Sequence, residues 1–450
     1  MSRADRSRAQ SLLHRLLSAG LFDIFGAGVL NKVIAFVSGM VVVRLIPQEA
    51  YGVYAYAYNA LSIILLFNGL GVVSAVLQLA SERAFADRVG AVESQGVKVG
   101  FAFDALLSAG MLLAPLFVDF PVEGSGELFR LWAPYPFFQL VFDLQCVSLR
   151  ASLRNREYAL CTNLNTVAIL IGSAAGAFAG GSVGLIVGRT LATLASCCVA
   201  AACFKVPTCA FSRDDGPRGE LTAAERRSFL GISAVSALNA GVNQLVYYLG
   251  VAVLGAISSD AASVAVFQTM LAIPTALNFI PSALATFVYP YFARHKDEPE
   301  WVLRRFLQTL AASAAIAVPV ALAVYALAPW AIVVLYGGDY ASGAGILRIL
   351  MLGWVFSATV RSIGSNLLVT QRRYLYGVVV AACSALLLVV FNLLFVPAMG
   401  SVGAAWAQVA VYVVSGFAYS AYFYLYVLRR KGRAAPIAPT GGDESKAGDW

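Results

Sequence analysis

The segment GSVGLIVGRTLATLAS (181–196) returns as GSVGAAWAQVAVYVVS (400–415), an offset of 219 residues. Two weaker echoes recur at similar spacing. RNREY (154–158) parallels TQRRY (370–374) at an offset of 216, and YGVYAYAYNAL (51–61) parallels ASVAVFQTMLA (262–272) at 211. A chain of 450 residues that repeats in this way is two copies of one unit laid end to end. What the unit is made of follows from composition. Hydrophobic residues make up 60% of the chain and charged residues only 12%, with a mean hydropathy of +0.76. A water-soluble domain carries roughly 25% charged residues, so most of this surface must face lipid. At roughly 20 apolar residues per crossing, the length allows about a dozen spans with short loops and excludes a large extramembrane catalytic domain.

Apolar stretches bounded by charges, Gly or Pro fall at 22–43, 52–79, 97–118, 128–148, 159–180, 182–204, 230–256, 262–290, 307–335, 346–369, 376–397 and 401–428. These are spans 1 to 12. Pro274 and Pro281 predict a tilt or kink in span 8. Lys and Arg in short loops are retained on the cytoplasmic side, which tests the count independently. With the N-terminus inside, 26 of the 32 basic residues fall in inside segments, Arg44 alone falls outside, and Lys32, Arg130, Arg189, Arg348 and Arg361 lie within spans. One missed helix would invert every later loop, so this partition predicts twelve spans with both termini cytoplasmic. Repeats of six spans each keep their orientation and are related by a pseudo-two-fold axis along the membrane normal. The expected fold is all-α: a cytoplasmic segment 1–21, an N-lobe 22–204, a linker 205–229 centred on RDDGPRGE, a C-lobe 230–428 and a disordered cytoplasmic tail 429–450. Arg3, Arg6, Arg8 and Arg15 precede an apolar stretch too long for a cleavable signal, so span 1 is expected to remain in place.

Four segments stand out: RLIPQEAYGVYAYAYNAL (44–61), YPYFAR (289–294), LYGGDYASGAGILRIL (335–350) and NLLFVPAMGSVGAAWAQV (392–409). Through them the chain resembles the polysaccharide transporter branch, the O-antigen and oligosaccharide flippases, of the multidrug, oligosaccharidyl-lipid and polysaccharide exporter superfamily. One departure is Ile46, followed directly by Pro47, where the family usually has Leu and then Gly-Pro. The resemblance implies a bacterial inner-membrane flippase for a lipid-linked, polyprenyl-pyrophosphate oligosaccharide, working by alternating access between two lobes. It implies as partners the membrane lipids and a polysaccharide polymerase or glycosyltransferases. These motifs are loops and packing sites, so they speak to the fold more than to the cargo.

Charged side chains within spans are the candidates for function, because each costs several kcal/mol in hydrocarbon unless it faces a polar cavity. Lys32 lies ten residues into span 1, near the midplane. It is either a cation for a phosphate-bearing substrate or half of an interhelical ion pair. Arg189, about 10 Å into span 6, and Arg361, about 22 Å into span 10, could line a cleft and bind phosphate through paired donors, or tie helices together. Arg130 and Arg348 sit just inside span ends, where snorkelling explains them, and Asp23 is an end-of-helix contact. Asp104 and Asp143 lie in the cytoplasmic halves of spans 3 and 4, where carboxylates exchange H⁺ or hold Na⁺, or pair with Lys32 or Arg189. Ser236, Asn239, Asn243 and Tyr247 share one face of span 7, which suits sugar hydroxyls or interhelical hydrogen bonds. Asn243 aligns with Lys32 at the 211 offset.

Other features carry less chemistry. Gly172, Gly176, Gly180, Gly184 and Gly188 recur every fourth residue and predict close backbone packing. The tyrosines of 51–58 and 422–426 are expected in interfacial belts. The seven Cys contain no CxxC pair, which predicts neither disulfide nor metal site. GxxxxGK[ST] and HExxH are missing and the histidines are His14 and His295, so neither an enzyme nor a cofactor is expected. The net charge of +8 resides in the inside loops and does not call for nucleic acid. The competing expectation is an ion-coupled multidrug exporter of the same superfamily, which would place acids rather than Lys32 deep in the first lobe.

Overall fold

The computed structural model describes residues 21–206, 221–371 and 373–434. The expected segment 1–20, the RDDGPRGE centre of the linker and residues 435–450 of the tail lie outside the described residues. Within them every regular element is a helix. Span 1 is Leu21–Leu45, span 2 is Gln48–Leu65 with Val72–Ala80, span 3 is Val89–Phe117 and span 4 is Ser125–Leu131 with Tyr135–Ala151. Asn155–Phe204 forms spans 5 and 6, and Ala223–Ser258 is span 7. Span 8 is Ala261–Leu277 with Phe279–Arg294, and span 9 is Pro299–Tyr336. Span 10 runs through Ala344–Phe356, Ser357–Arg361 and Ser362–Thr370, and Tyr374–Ala434 forms spans 11 and 12. The last helix thus continues to Ala434, past the boundary at 428 where the tail was expected to begin.

The repeat is written into the backbone. Spans 5 and 6 turn back on each other at Gly181 (φ 56°, ψ −137°), and spans 11 and 12 at Gly400 (φ 56°, ψ −135°). This is a conformation essentially reserved for glycine, and it occurs at the two positions that the 219 offset pairs. The glycine ladder below the first turn packs as its spacing predicts. A Cβ on Gly176 would stand 2.1 Å from the Gly184 carbonyl oxygen, and one on Gly172 would stand 2.5 Å from that of Gly188.

Spans 5 and 6 pack on span 1, and spans 11 and 12 on span 7, so each lobe closes on itself. Between the lobes, the first half of span 2 packs against the first half of span 8, and the second half of span 2 against span 7. The two halves of the bundle's height differ in their core. Towards the face remote from the termini, one continuous cluster joins Tyr51, Tyr54 and Trp132 of the N-lobe to Leu254, Phe267 and Trp354 of the C-lobe. Towards the terminal face the core splits. Phe292, Phe306 and Phe423 form a cluster within the C-lobe, while Val92, Leu140 and Val147 of the N-lobe join only the start of span 7, through Leu221 and Phe229. Buried apolar contact drives association in proportion to area, so the lobes are sealed at the remote face, while towards the terminal face their buried clusters meet only at the start of the span 7 helix.

Contacts at the remote face are close. A Cβ on Gly52 of span 2 would lie 1.8 Å from the Ala261 carbonyl oxygen of span 8, and one on Gly255 of span 7 would lie 2.4 Å from the Tyr56 ring. Arg44 at the end of span 1 donates to the Val334 carbonyl of span 9.

Candidate functional site

Between the lobes lies a chamber of about 520 Å³, walled by spans 1, 2, 7, 8 and 9. On span 1 its lining runs from Lys32 to Val43, about 16 Å of depth at 1.5 Å per residue. Lys32, Gln244 and Asn278 stand at the end nearer the terminal face, and Tyr51 and Tyr336 at the sealed end. Of the described residues in the lining, Lys32 is the one that is charged, and none is an acid. Among the described residues it has no ion-pair partner, and its side chain is exposed. A cation at this depth is tolerable because it borders a polar cavity.

The tyrosines of 51–58 are not an interfacial belt. Tyr51, Tyr54 and Tyr56 are buried, and Tyr51 and Tyr58 face the chamber. Tyr54 stacks on Tyr58 at 5.8 Å, and both meet the buried Trp132. Residues 51, 54 and 58 share a helix face, which was the available signal. Asn59, beside Tyr58, donates to Gln268 Oε1 at 3.0 Å across the lobe boundary.

Arg189 and Arg361 stand behind this wall rather than on it. Arg189 donates to the Tyr58 hydroxyl at 2.9 Å, with its guanidinium 4.7 Å from the ring centre. Arg361 donates to the Tyr247 hydroxyl at 3.1 Å and lies 5.6 Å and 5.5 Å from the rings of Tyr247 and Tyr412. Arg361 closes a π-helical turn, Ser357–Arg361, of the kind that inserts an extra residue and re-aims side chains. Hydroxyls bridge to carbonyls of that turn: Ser313 donates to Ala358 at 3.0 Å and Ser420 to Val360 at 2.6 Å. Each arginine therefore holds one wall tyrosine from behind.

Of the span 7 stripe, Tyr247 reaches the chamber and is accompanied by Gln244 and Tyr248. Ser236 and Asn239 are not in the lining, and the side chain of Asn243 lies outside the described residues. The helix bends by 52° between Ala223–Val242 and Gln244–Ser258, so a stripe drawn on a straight cylinder loses its register there.

Neither Asp104 nor Asp143 meets Lys32 or Arg189. Asp104 is fully buried, and its Oδ1 accepts the main-chain N–H of Gly69 at 2.7 Å. Asp143 Oδ1 accepts from Gln139 Nε2 at 3.0 Å, and Gln139 in turn accepts from the Tyr135 hydroxyl at 3.1 Å.

On the terminal face, Arg88 from the loop after span 2 holds Glu225 in the first turn of the span 7 helix through bonds of 2.7 Å and 3.2 Å. Glu225 also completes a capping box with Thr222. The Arg88 guanidinium and the Thr222 amide hold the Glu225 carboxyl down to about 2.

A family model described as polysaccharide biosynthesis protein matches residues 41–345. No curated protein sequence matches the chain with significance. Among solved structures, the chain is similar to an inward-facing multidrug resistance MATE family transporter of the MOP superfamily, with 14% identity, a TM-score of 0.76, and 90% of this chain and 96% of that one covered. It is similar to the lipid II flippase MurJ in an inward closed conformation, with 14% identity, a TM-score of 0.71 and 90% of each chain covered. A eukaryotic MATE transporter follows with 13% identity, a TM-score of 0.63, and 93% and 99% covered. The twelve-span, two-lobed fold is thus that of these transporters, and the chain belongs to the polysaccharide biosynthesis protein family.

Proposed function

We propose that this protein flips a lipid-linked oligosaccharide of the polyprenyl-pyrophosphate type across the bacterial inner membrane, without covalent chemistry, by alternating access. The observation that carries the reading is the chamber's chemistry. Among the described lining residues, Lys32 is a solitary ammonium that stands among phenols, amides and apolar side chains with no carboxylate. An anionic pyrophosphate finds a point charge at the chamber's terminal end, while Gln244, Asn59 and Gln268 offer paired donors and acceptors to sugar hydroxyls. The prenyl chain stays in the bilayer. With the termini cytoplasmic, as the distribution of Lys and Arg supports, the present state is inward-facing, and rocking the lobes about the chamber would carry the headgroup outwards. The product then feeds a polymerase or transferase acting on the outer side.

A multidrug exporter of the same superfamily is the second reading, and its motivation is the likeness to MATE transporters. Among the described lining residues a cationic drug would meet Lys32 and no acid, which disfavours it. Lys32→Ala in cells tests the primary reading: surface polysaccharide is expected to be lost while membrane insertion stays normal. Unchanged polysaccharide output in that variant would remove Lys32 from the substrate site.

A further inference from the structure

The two hairpins that the repeat pairs are closed differently. In spans 11 and 12, the buried Tyr419 donates to the Gly377 carbonyl at 2.9 Å, and Tyr376 donates back to the Ala418 carbonyl at 3.1 Å. These bonds tie the helices together in the half of the membrane nearer the terminal face. At the 219 offset, Tyr419 pairs with Ala200 of span 6. Spans 5 and 6 are instead held towards the Gly181 turn, where the ladder from Gly172 to Gly188 sets backbone against backbone. Below the ladder a groove of about 230 Å³ opens between the two helices, from Ile171 to Cys161 on span 5 and from Ala195 to Phe204 on span 6.

The groove has the length and chemistry of a bed for one hydrocarbon chain. Cys161 to Ile171 covers about 15 Å at 1.5 Å per residue, half of a hydrocarbon core of about 30 Å, so it spans the leaflet at the terminal face. Leu164, Ile171 and Val199 are exposed along it, and the Ser196 hydroxyl is taken up by the Ala192 carbonyl of its own helix at 2.9 Å. Apolar cavities of about 150 Å³ already take up small hydrocarbons. At the terminal end Arg154 donates to the Phe204 carbonyl at 2.9 Å and pairs with Glu157, so its charge is spent on closing the hairpin. Two further cations stand beside it. Lys205 follows Phe204 directly, and Arg156 lies about three turns before Val167 on the same face of span 5. Both are exposed, and neither has an ion-pair partner among the described residues.

We infer that the groove between spans 5 and 6 is a structural site for one anionic phospholipid of the terminal-face leaflet, with an acyl chain along Leu164 and Val199 and the phosphate at Arg156 and Lys205. Basic residues at the membrane surface attract anionic lipids. The acyl chain takes the place in the N-lobe that the Tyr419 side chain fills in the C-lobe. Spans 5 and 6 pack on span 1, so the lipid braces the helix that carries Lys32. The site stands independently of the flippase reading.

The test is native mass spectrometry of the delipidated full-length protein, to which dioleoyl phosphatidylglycerol or dioleoyl phosphatidylcholine is returned, without any glycan. The first phosphatidylglycerol should bind about tenfold more tightly than the first phosphatidylcholine, or better, as two surface cations allow. Arg156→Gln together with Lys205→Gln should remove that preference. Ala195→Phe, which fills the groove from an exposed position on span 6, should weaken the first phosphatidylglycerol by about tenfold, the loss expected when two buried CH₂ groups leave an apolar bed. Lys32→Ala should keep the wild-type preference, which separates this site from the chamber. Equal binding of the two lipids by the wild type, phosphatidylglycerol binding undiminished in either groove variant, or loss of the preference in Lys32→Ala would overturn the inference. So would displacement of the bound phosphatidylglycerol by equimolar polyprenyl phosphate, which would give the groove to a prenyl chain.

Discussion

Arg189 of span 6 holds Tyr58 of span 2 twice over, by a hydrogen bond of 2.9 Å to its hydroxyl and by a guanidinium 4.7 Å above its ring. Tyr58 is a chamber wall residue, so the arginine fixes the wall without touching what passes. A hydrogen bond involving a charged group contributes about 1.5–3 kcal/mol. In a double-mutant cycle on thermal stability, Arg189→Ala and Tyr58→Phe should each destabilise, and their effects should be non-additive by about 1 kcal/mol or more. Additive effects would detach the two residues.

The paired glycine turns offer a test of the repeat. Gly181 and Gly400 share φ 56° with ψ near −136°, and in neither case does anything lie within 4 Å of a built Cβ. The cost of alanine is therefore backbone strain alone, of order 1–3 kcal/mol. Gly181→Ala and Gly400→Ala should lower the melting temperature by similar amounts. A large effect at one and none at the other would break the equivalence of the two hairpins.

On the terminal face, Glu225 is held down to about 2 by Arg88 and Thr222, against about 4.3 for an unperturbed glutamate. A group with a depressed folded value stabilises fully above its unfolded value and loses that contribution as pH falls through the folded one. The difference in melting temperature between wild type and Glu225→Gln should stay level down to about pH 4.3 and shrink between there and about pH 2. A difference that already fades between pH 7 and pH 5 would contradict the latch.

Gly52 governs closure of the remote face. Its built Cβ falls 1.8 Å from the Ala261 carbonyl oxygen, a contact that no larger side chain can share. In Gly52→Val the two lobes should be held apart on that face. Spin labels at the exposed positions 49 and 259 should report a longer distance by pulsed dipolar spectroscopy than in wild type. An unchanged distance distribution would show that this approach does not set the conformation.

Much of the fold was legible because lipid imposes simple rules. Length, apolar runs and the segregation of basic residues mark the spans, and the Gly181 and Gly400 segments mark the repeat. The site was legible in depth but not in direction. Lys32, Arg189 and Arg361 are all where a hydropathy count puts them, yet only Lys32 faces the chamber. A π-turn aims Arg361 at Tyr247, and a bend in span 7 replaces Asn239 by Gln244. No periodicity on an ideal helix encodes either distortion. Tyr51 to Tyr58 look like a belt because tyrosine suits both a lipid headgroup and a polar cavity wall. Asp104 could be placed in span 3 from sequence, but its role at the Gly69 turn depends on a left-handed break 35 residues earlier.

The central claim is that the inter-lobe chamber carries a pyrophosphate-linked glycan past Lys32. Proteoliposomes containing a radiolabelled polyprenyl-pyrophosphate oligosaccharide in the outer leaflet, with an impermeant glycosidase added outside, measure this directly. Wild-type protein should move a fraction of the label into protection, Lys32→Arg should retain part of that activity, and Lys32→Ala should reduce it to the level of protein-free vesicles. Protection by Lys32→Ala equal to that by wild type, or none above protein-free vesicles with wild type, would contradict the account.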